Sequence, residues 1–436
     1  EKDLALTVRK RKGHRQLKGG RVVVIGGGPA GLLATGRAAE RGALAVLLEK
    51  NAAPGKKLLL SGKGRCNLTS SEEDTDLFLS KYGRNGRFLY SVFSRFGPAE
   101  TISFFESIGV ELEEERGKRI FPAAGGAPGV LDAVRRYSAG AGAEIRCENE
   151  ALDLVVREGR IRGVLTENGE IDGDAFIICT GGKSFPKTGS TGDGYRFARR
   201  AGHTVIPPVP ALCPVRTAER WPETCHGLTL RNVSLSLRRN GKVTTSRFGE
   251  LLLTHFGLSG PIAMDMSKEI AAALESGGGE LVIDLKPALT HQVLTKRIRR
   301  DLDRLSGKHL KEALGGLLPS GLIPTVLMKS PIPEQKLVND IGNREAGELA
   351  ALLKAFQLTP TGLLGFNWAV VTSGGVAIDE IDPGTMRSKI VENLFFAGEV
   401  IDIDGPTGGF NLQMCWSTGH QAGESAADYA GSLPRR

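Results

Sequence analysis

RVVVIGGGPAGLLATGRAAERGALAVLLE, residues 21–49, decides the fold. Arg21–Ile25 is a β-branched run without a polar break, as a parallel strand covered on both faces requires. Gly26, Gly28 and Gly31 follow at GxGxxG spacing; an amphipathic helical pattern then runs to about Gly42, and a second strand pattern ends on Glu49. Each part has a task in holding a dinucleotide. Gly26 permits a tight turn, Gly28 lets the backbone approach a pyrophosphate, and Pro29 and Ala30 open a helix whose N-terminus favours phosphate charge; Gly31 lets that helix pack on the strand. Glu49 would accept hydrogen bonds from a ribose diol, which disfavours NADP here and leaves FAD and NAD. A glycine-rich loop serving packing alone leaves Glu49 unexplained.

Two distant segments favour FAD. Residues 171–182 (IDGDAFIICTGG) form a strand that runs into Thr180, Gly181 and Gly182, after a meander of short strands broken at REG and ENG. Near the C-terminus, Leu394–Ala397 reads as a strand, Gly398 and Glu399 as a turn, Gly408 and Gly409 as a glycine pair, and a helix begins near Asn411. Glu399 is suited to ribityl hydroxyls, and the N–H groups around Gly409, Phe410, Asn411 and Leu412 to negative charge on a flavin's pyrimidine side. Lys50, Lys57 and Gly62 join these as candidate cofactor contacts.

Length and composition set the bounds. At 436 residues the chain can bury two or three cores, and its glycine-rich, moderately charged make-up fits an α/β enzyme. Much of the +8 charge lies in residues 1–20, a basic leader that reads as a solvated tail or the remnant of a targeting segment; the first residue is not Met, which suggests processing or truncation. Nucleic-acid binding is disfavoured. The six cysteines show neither CxxC nor metal-ligand spacing, so reduced thiols, no metal and an intracellular setting are expected, cytoplasmic or, with a transit-peptide remnant, plastid. No apolar stretch is suited to a membrane span.

Three further motifs, KKLLLSGKGRCNLTSS (56–71), GGKSFPKTGSTGDGYRFA (181–198) and VTSGGVAIDEIDPGTMRSK (371–389), stand with GGGPAG and FAGE…GGFN. Together they resemble the BaiN/YhiN-type NAD(P)/FAD-dependent oxidoreductases from residue 21 to about 425. The resemblance implies a discontinuous, glutathione-reductase-like FAD-binding Rossmann domain interrupted by an inserted domain with β-barrel-like and helical parts. It also implies redox chemistry on small carbonyl-containing or unsaturated molecules, from steroid-type double-bond reduction to amine oxidation, with NAD(P)H as a candidate donor. The sequence divides accordingly: residues 21–205 and 366–436 for the FAD domain, and 206–365 for the insert, β-rich over 206–289 and helical over 290–358. Within the insert, 228–253 alternate as two strands about an Asn240–Gly241 turn, and the chain is expected to return to sheet at Phe366–Val371. Ala123–Gly129 is more glycine-rich than the family pattern, which points to an altered substrate-side loop.

Candidate chemistry is sparse, as hydride transfer through a flavin requires little acid–base equipment. Arg65, Cys66 and Asn67 lie in a glycine-bounded loop; Arg65 is suited to a pyrophosphate or flavin anion, while Cys66 reads either as a thiol near the ring or as buried packing. TGSTGDG (188–194) lacks the ending of a P-loop and reads as a turn before a helix capped by Asp193. His255 is the candidate acid or base of the insert, and His203 and His420 read as helix-end residues. Alternative readings are a flavin-dependent RNA modifier and a non-catalytic flavin-stabilised interaction protein. The oligomeric state is left open.

Overall fold

The computed structural model describes residues 19–434, so nearly all of the basic leader lies outside the described residues. Arg21–Ile25 is the central strand of a five-stranded parallel sheet, with Ala175–Ile178 and then Leu394–Phe396 on one side and Leu44–Leu48 and then Glu144–Arg146 on the other. Its four apolar residues are buried, as the unbroken β-branched run required. The strand patterns near residues 44, 175 and 394 thus meet in one sheet although they come from three parts of the chain.

The opening helix, Pro29–Glu40, packs against the closing helix, Phe410–Ser432. Their axes come close because the two residues of the closing helix that face the opening helix lack side chains: a Cβ on Gly419 would lie 2.5 Å from Ala30 O, and one on Gly423 2.3 Å from Ala34 O. This packing fixes where the closing helix begins. It also corrects the expectation for His420, which lies inside that helix, its ring stacked on Phe96 with centroids 4.3 Å apart. His203 does follow a helix end, where it bonds Glu380 and Ser388.

Burial, and then the Arg37 guanidinium, push the His420 imidazole down to about 4, and its Nδ1 is buried without a partner. The unfolded chain therefore binds a proton near pH 6.5 that the folded chain refuses. Stability is full above that pH and falls as acid is added towards pH 4, by roughly 2–3 kcal/mol from this group. His420→Gln is expected to flatten the dependence of melting temperature on pH in that window. An unchanged slope would assign the acid sensitivity elsewhere.

The ribbon formed by Val205–Ala211 and Val371–Val376, paired antiparallel, carries the chain into and out of the insert. The return to sheet is therefore later than expected: residues 366–370 form a turn, and the strand begins at Val371. The insert holds a seven-stranded antiparallel sheet ordered 356–358, 280–284, 229–239, 242–254, 257–259, 215–217, 360–363. The outermost strands in that order are consecutive in the chain, separated by Thr359 alone, so the sheet must curl until its edges meet. That is the expected barrel-like part. Asn240 (φ 50°) and Gly241 (φ 75°) make its hairpin turn. Helices between His291 and Lys354 pack against it around a second core, and Phe356–Leu358 and Pro360–Leu363 then return to the barrel.

Candidate functional site

A cleft opens over the C-terminal ends of the parallel strands. Gly26, Gly28, Pro29, Ala30, Glu49, Lys50, Lys57, Thr180, Gly181, Gly398 and Glu399, all singled out from the sequence, line it. The three motif glycines have separate reasons. Gly26 has φ 103°, and Gly31 needs close approach, since a Cβ there would lie 1.9 Å from Gly26 O. Gly28 faces open space, with nothing within 4 Å of an added Cβ. Gly182 sits beside the cleft against Thr372. The turn at Gly398 lies against Ala30, its would-be Cβ 2.8 Å from the Ala30 Cβ, so the C-terminal element and the first turn form one site.

At one end, Glu49 accepts from Gly27 N at 2.9 Å and from the Asn51 backbone and amide nitrogens at 2.8 and 2.6 Å. Thr188–Asp193 is strapped across this end: Lys50 Nζ reaches Asp193 Oδ2 at 2.7 Å and Thr191 Oγ1 at 2.6 Å, and Asn51 Nδ2 donates to Thr188 O at 3.1 Å. Lys50 holds the Asp193 carboxyl below its ordinary range against the cost of burial. Gly192, at φ 88°, takes the cap position expected for Asp193, which is freed for this ion pair. TGSTGDG therefore closes the end marked by Glu49.

At the other end, Lys57 Nζ donates to Glu399 Oε2 and Ser184 Oγ, both at 2.6 Å, and Glu399 Oε1 accepts from Thr372 N at 2.7 Å and Ser184 Oγ at 3.0 Å. Ser184 and Thr372 escaped the sequence reading, although both lie in motifs quoted there. Four chain segments meet on this carboxylate.

The SGKGRCN loop is adjacent but does not line the cleft. With its amide oxygen and nitrogen assigned so that both find partners, Asn67 ties it to the closing helix, donating to Thr69 O at 3.0 Å and Ile120 O at 3.2 Å and accepting from Gly409 N at 3.0 Å. Gly62 (φ 56°) shapes its turn, and a Cβ on Gly126, in the glycine-rich segment after Ala123, would press Gly64 O at 2.8 Å. Arg65 points away, to Glu115 at 2.8 Å and over the Phe121 ring at 4.2 Å, because its half-exposed side chain finds a carboxylate and an aromatic face outside the cleft. Cys66 is 0% exposed, and burial pushes its thiol up to about 12, against a nucleophile. His255 is likewise away from the cleft, exposed at a hairpin tip beside His226 and Phe256.

The closing helix starts with Gly408 (φ 120°) and Gly409 (φ 96°), and no side chain caps it. The N–H groups of Phe410, Asn411 and Leu412 have no acceptor inside the helix. The Asn411 side chain braces the preceding loop, accepting from Gly405 N at 2.9 Å and donating to Gly405 O at 2.8 Å. The insert meets this loop at two points. Asp265 Oδ1 accepts from Thr407 N at 2.9 Å and Oδ2 from Thr407 Oγ1 at 3.2 Å, while Lys268 Nζ bonds Asp404 Oδ2 at 2.7 Å.

These residues fit a dinucleotide. Gly28 leaves space for a diphosphate at a helix N-terminus, Glu49 keeps acceptor capacity on its carboxylate, and the Thr180 hydroxyl is buried at the cleft wall without a partner. Among the described residues, no group of three or more His, Cys, Asp or Glu is placed to hold a metal, and no helix is long and apolar enough to cross a membrane.

The family model of the HI0933-like protein Rossmann domain matches residues 20–425. The chain belongs to this family. Like other HI0933-like proteins, it is an FAD-dependent oxidoreductase. It is 33% identical to a 3-dehydro-bile acid delta(4,6)-reductase of Clostridium scindens, covering 94% of this chain and 99% of that protein. It is 30% identical to a ribosomal RNA dihydrouridine synthase of Haemophilus influenzae, covering 91% and 96%. Among solved structures, the 3-ketosteroid delta1-dehydrogenase of Sterolibacterium denitrificans shares the fold with a TM-score of 0.52 at 12% identity, over 94% of this chain and 99% of that one.

Proposed function

We propose that this HI0933-like protein reduces a carbon–carbon double bond conjugated to a carbonyl in a small organic molecule, with NAD(P)H as donor. The observation that carries the reading is the contact of the insert, through Asp265, with the loop that leads into the closing helix, which brings a second domain beside the start of that helix. The relatives support the bond type. A delta(4,6)-reductase acting on a 3-dehydro compound and a dihydrouridine synthase both saturate a double bond conjugated to a carbonyl.

FAD supplies the two-electron chemistry when bound. The chain's own residues bind and orient. Gly28 and the first turn of the opening helix take the diphosphate, Glu49 the adenosine ribose, and Glu399, steadied by Lys57, the ribityl chain. The N–H groups of Phe410–Leu412 favour negative charge at the pyrimidine edge. The insert would stand on the substrate side, where its part would be to exclude water.

Anaerobic stopped-flow reduction by NADH and NADPH, followed by an acceptor series, tests this. A 3-oxo-Δ4 steroid is expected to reoxidise the flavin faster than the corresponding saturated ketone. Equal rates for both, or reoxidation by oxygen alone, would overturn the proposal. The dihydrouridine synthase relatives also favour a second reading, reduction of uridine in RNA; preferential reoxidation by a uridine-containing transcript would establish it.

A further inference from the structure

We propose that Asp265 is a positioning residue for the redox centre: acting from the insert, it sets the backbone donors at the start of the closing helix. The proposal rests on the reading that these donors face the flavin. Asp265 grips Thr407 through both carboxylate oxygens, at 2.9 and 3.2 Å. Two residues later, Gly409 is held from the opposite side: its N–H goes to Asn67 at 3.0 Å, and its Cα is pressed on the Thr69 backbone, where a Cβ would meet Thr69 O at 2.5 Å. Tyr82, whose hydroxyl donates to Phe410 O at 2.8 Å, holds the first turn of the closing helix beyond these two anchors, so the stretch they set is Thr407–Gly409.

The peptides between them cannot hold a direction unaided. Gly408 and Gly409 occupy left-handed backbone regions and bring no side chains of their own, and no side-chain cap orients the N–H groups of Phe410, Asn411 and Leu412. Asn411 braces residues 405 and 406 but not Thr407. The position of Thr407 is therefore set by a carboxylate on another domain. Lys268–Asp404, on the same interface, is a separate clasp that does not touch Thr407.

The consequence is electrostatic. Donors aimed at the pyrimidine edge stabilise the anionic reduced flavin; donors that wander do so less, and the midpoint potential falls. Redox titration of the FAD-loaded chain tests this in Asp265→Ala, Asp265→Asn, Thr407→Val and Lys268→Ala. Asp265→Ala is expected to move the potential to a more negative value with FAD affinity within about 10-fold of wild type, the order of one lost charge-assisted hydrogen bond. Asp265→Asn, which keeps an acceptor for the Thr407 N–H, and Thr407→Val, which loses only the hydroxyl contact, should show smaller shifts of the same sign. Lys268→Ala should leave the potential at the wild-type value. An Asp265→Ala protein that binds FAD at an unchanged potential overturns the proposal and leaves the assigned reaction standing, as does a Lys268→Ala shift of equal size. A wild-type chain that takes up no FAD overturns both.

Discussion

Gly28→Val gives a folded, colourless protein. The backbone at residue 28 is extended, φ −77° and ψ −175°, which any residue adopts, and an added Cβ touches nothing within 4 Å. The fold therefore has no reason to object, and stability of the cofactor-free chain should stay within about 1 kcal/mol of wild type. The space that Cβ enters is the cleft, at the position where a diphosphate must approach the N–H groups of the opening helix. FAD affinity is expected to fall by at least about 100-fold, roughly 3 kcal/mol, as charge-assisted contacts are blocked. Gly31→Ala, three residues on, should do the reverse damage: its Cβ would lie 1.9 Å from Gly26 O, a backbone atom that cannot step aside, so the fold itself loses about 3 kcal/mol. FAD titration and denaturant melting of the cofactor-free proteins separate the two effects. Tight FAD binding by Gly28→Val would refute the assignment of the cleft.

The second large effect belongs to Glu399→Ala. It leaves the Lys57 ammonium with Ser184 as its partner in this network and strips the Thr372 N–H of its acceptor. The Lys57 and Glu399 side chains are 23% and 13% exposed, so the cost is below that of a fully dry pair, about 2–3 kcal/mol, and cofactor affinity should fall with it. Much of that cost is the stranded charge. Lys57→Met combined with Glu399→Gln should therefore be less damaging than the sum of the single changes by at least about 1 kcal/mol in a double-mutant cycle. Strict additivity would mean that the pair is incidental to stability.

The parts legible in the sequence are those governed by local rules. A β-branched run, GxGxxG, a helical stripe and a terminal acid occupy 29 consecutive residues, and each feature constrains its neighbour. Asn240–Gly241 announces its turn in the same way, because only residues tolerant of positive φ fit there. What failed was mostly non-local. Arg65 and Cys66 sit in a loop beside the cleft, and which way each side chain turns depends on Glu115, Phe121 and the core, none of them sequence neighbours. Ser184, Thr372 and Glu399 meet only because two strands of the parallel sheet and one strand of the ribbon bring three distant segments to one point. Asp265 comes from a separate domain and carries no motif. His420 was misplaced because the glycines around it suggest a helix end, whereas Gly419 and Gly423 serve close helix packing.

The most direct test is a crystal structure of the chain loaded with FAD. It should place the diphosphate against Gly28 at the start of the opening helix, the adenosine ribose on Glu49, and the pyrimidine edge of the isoalloxazine at the N–H groups of Phe410–Leu412. A diphosphate bound away from Gly28, or a ring system remote from the start of the closing helix, would contradict the account.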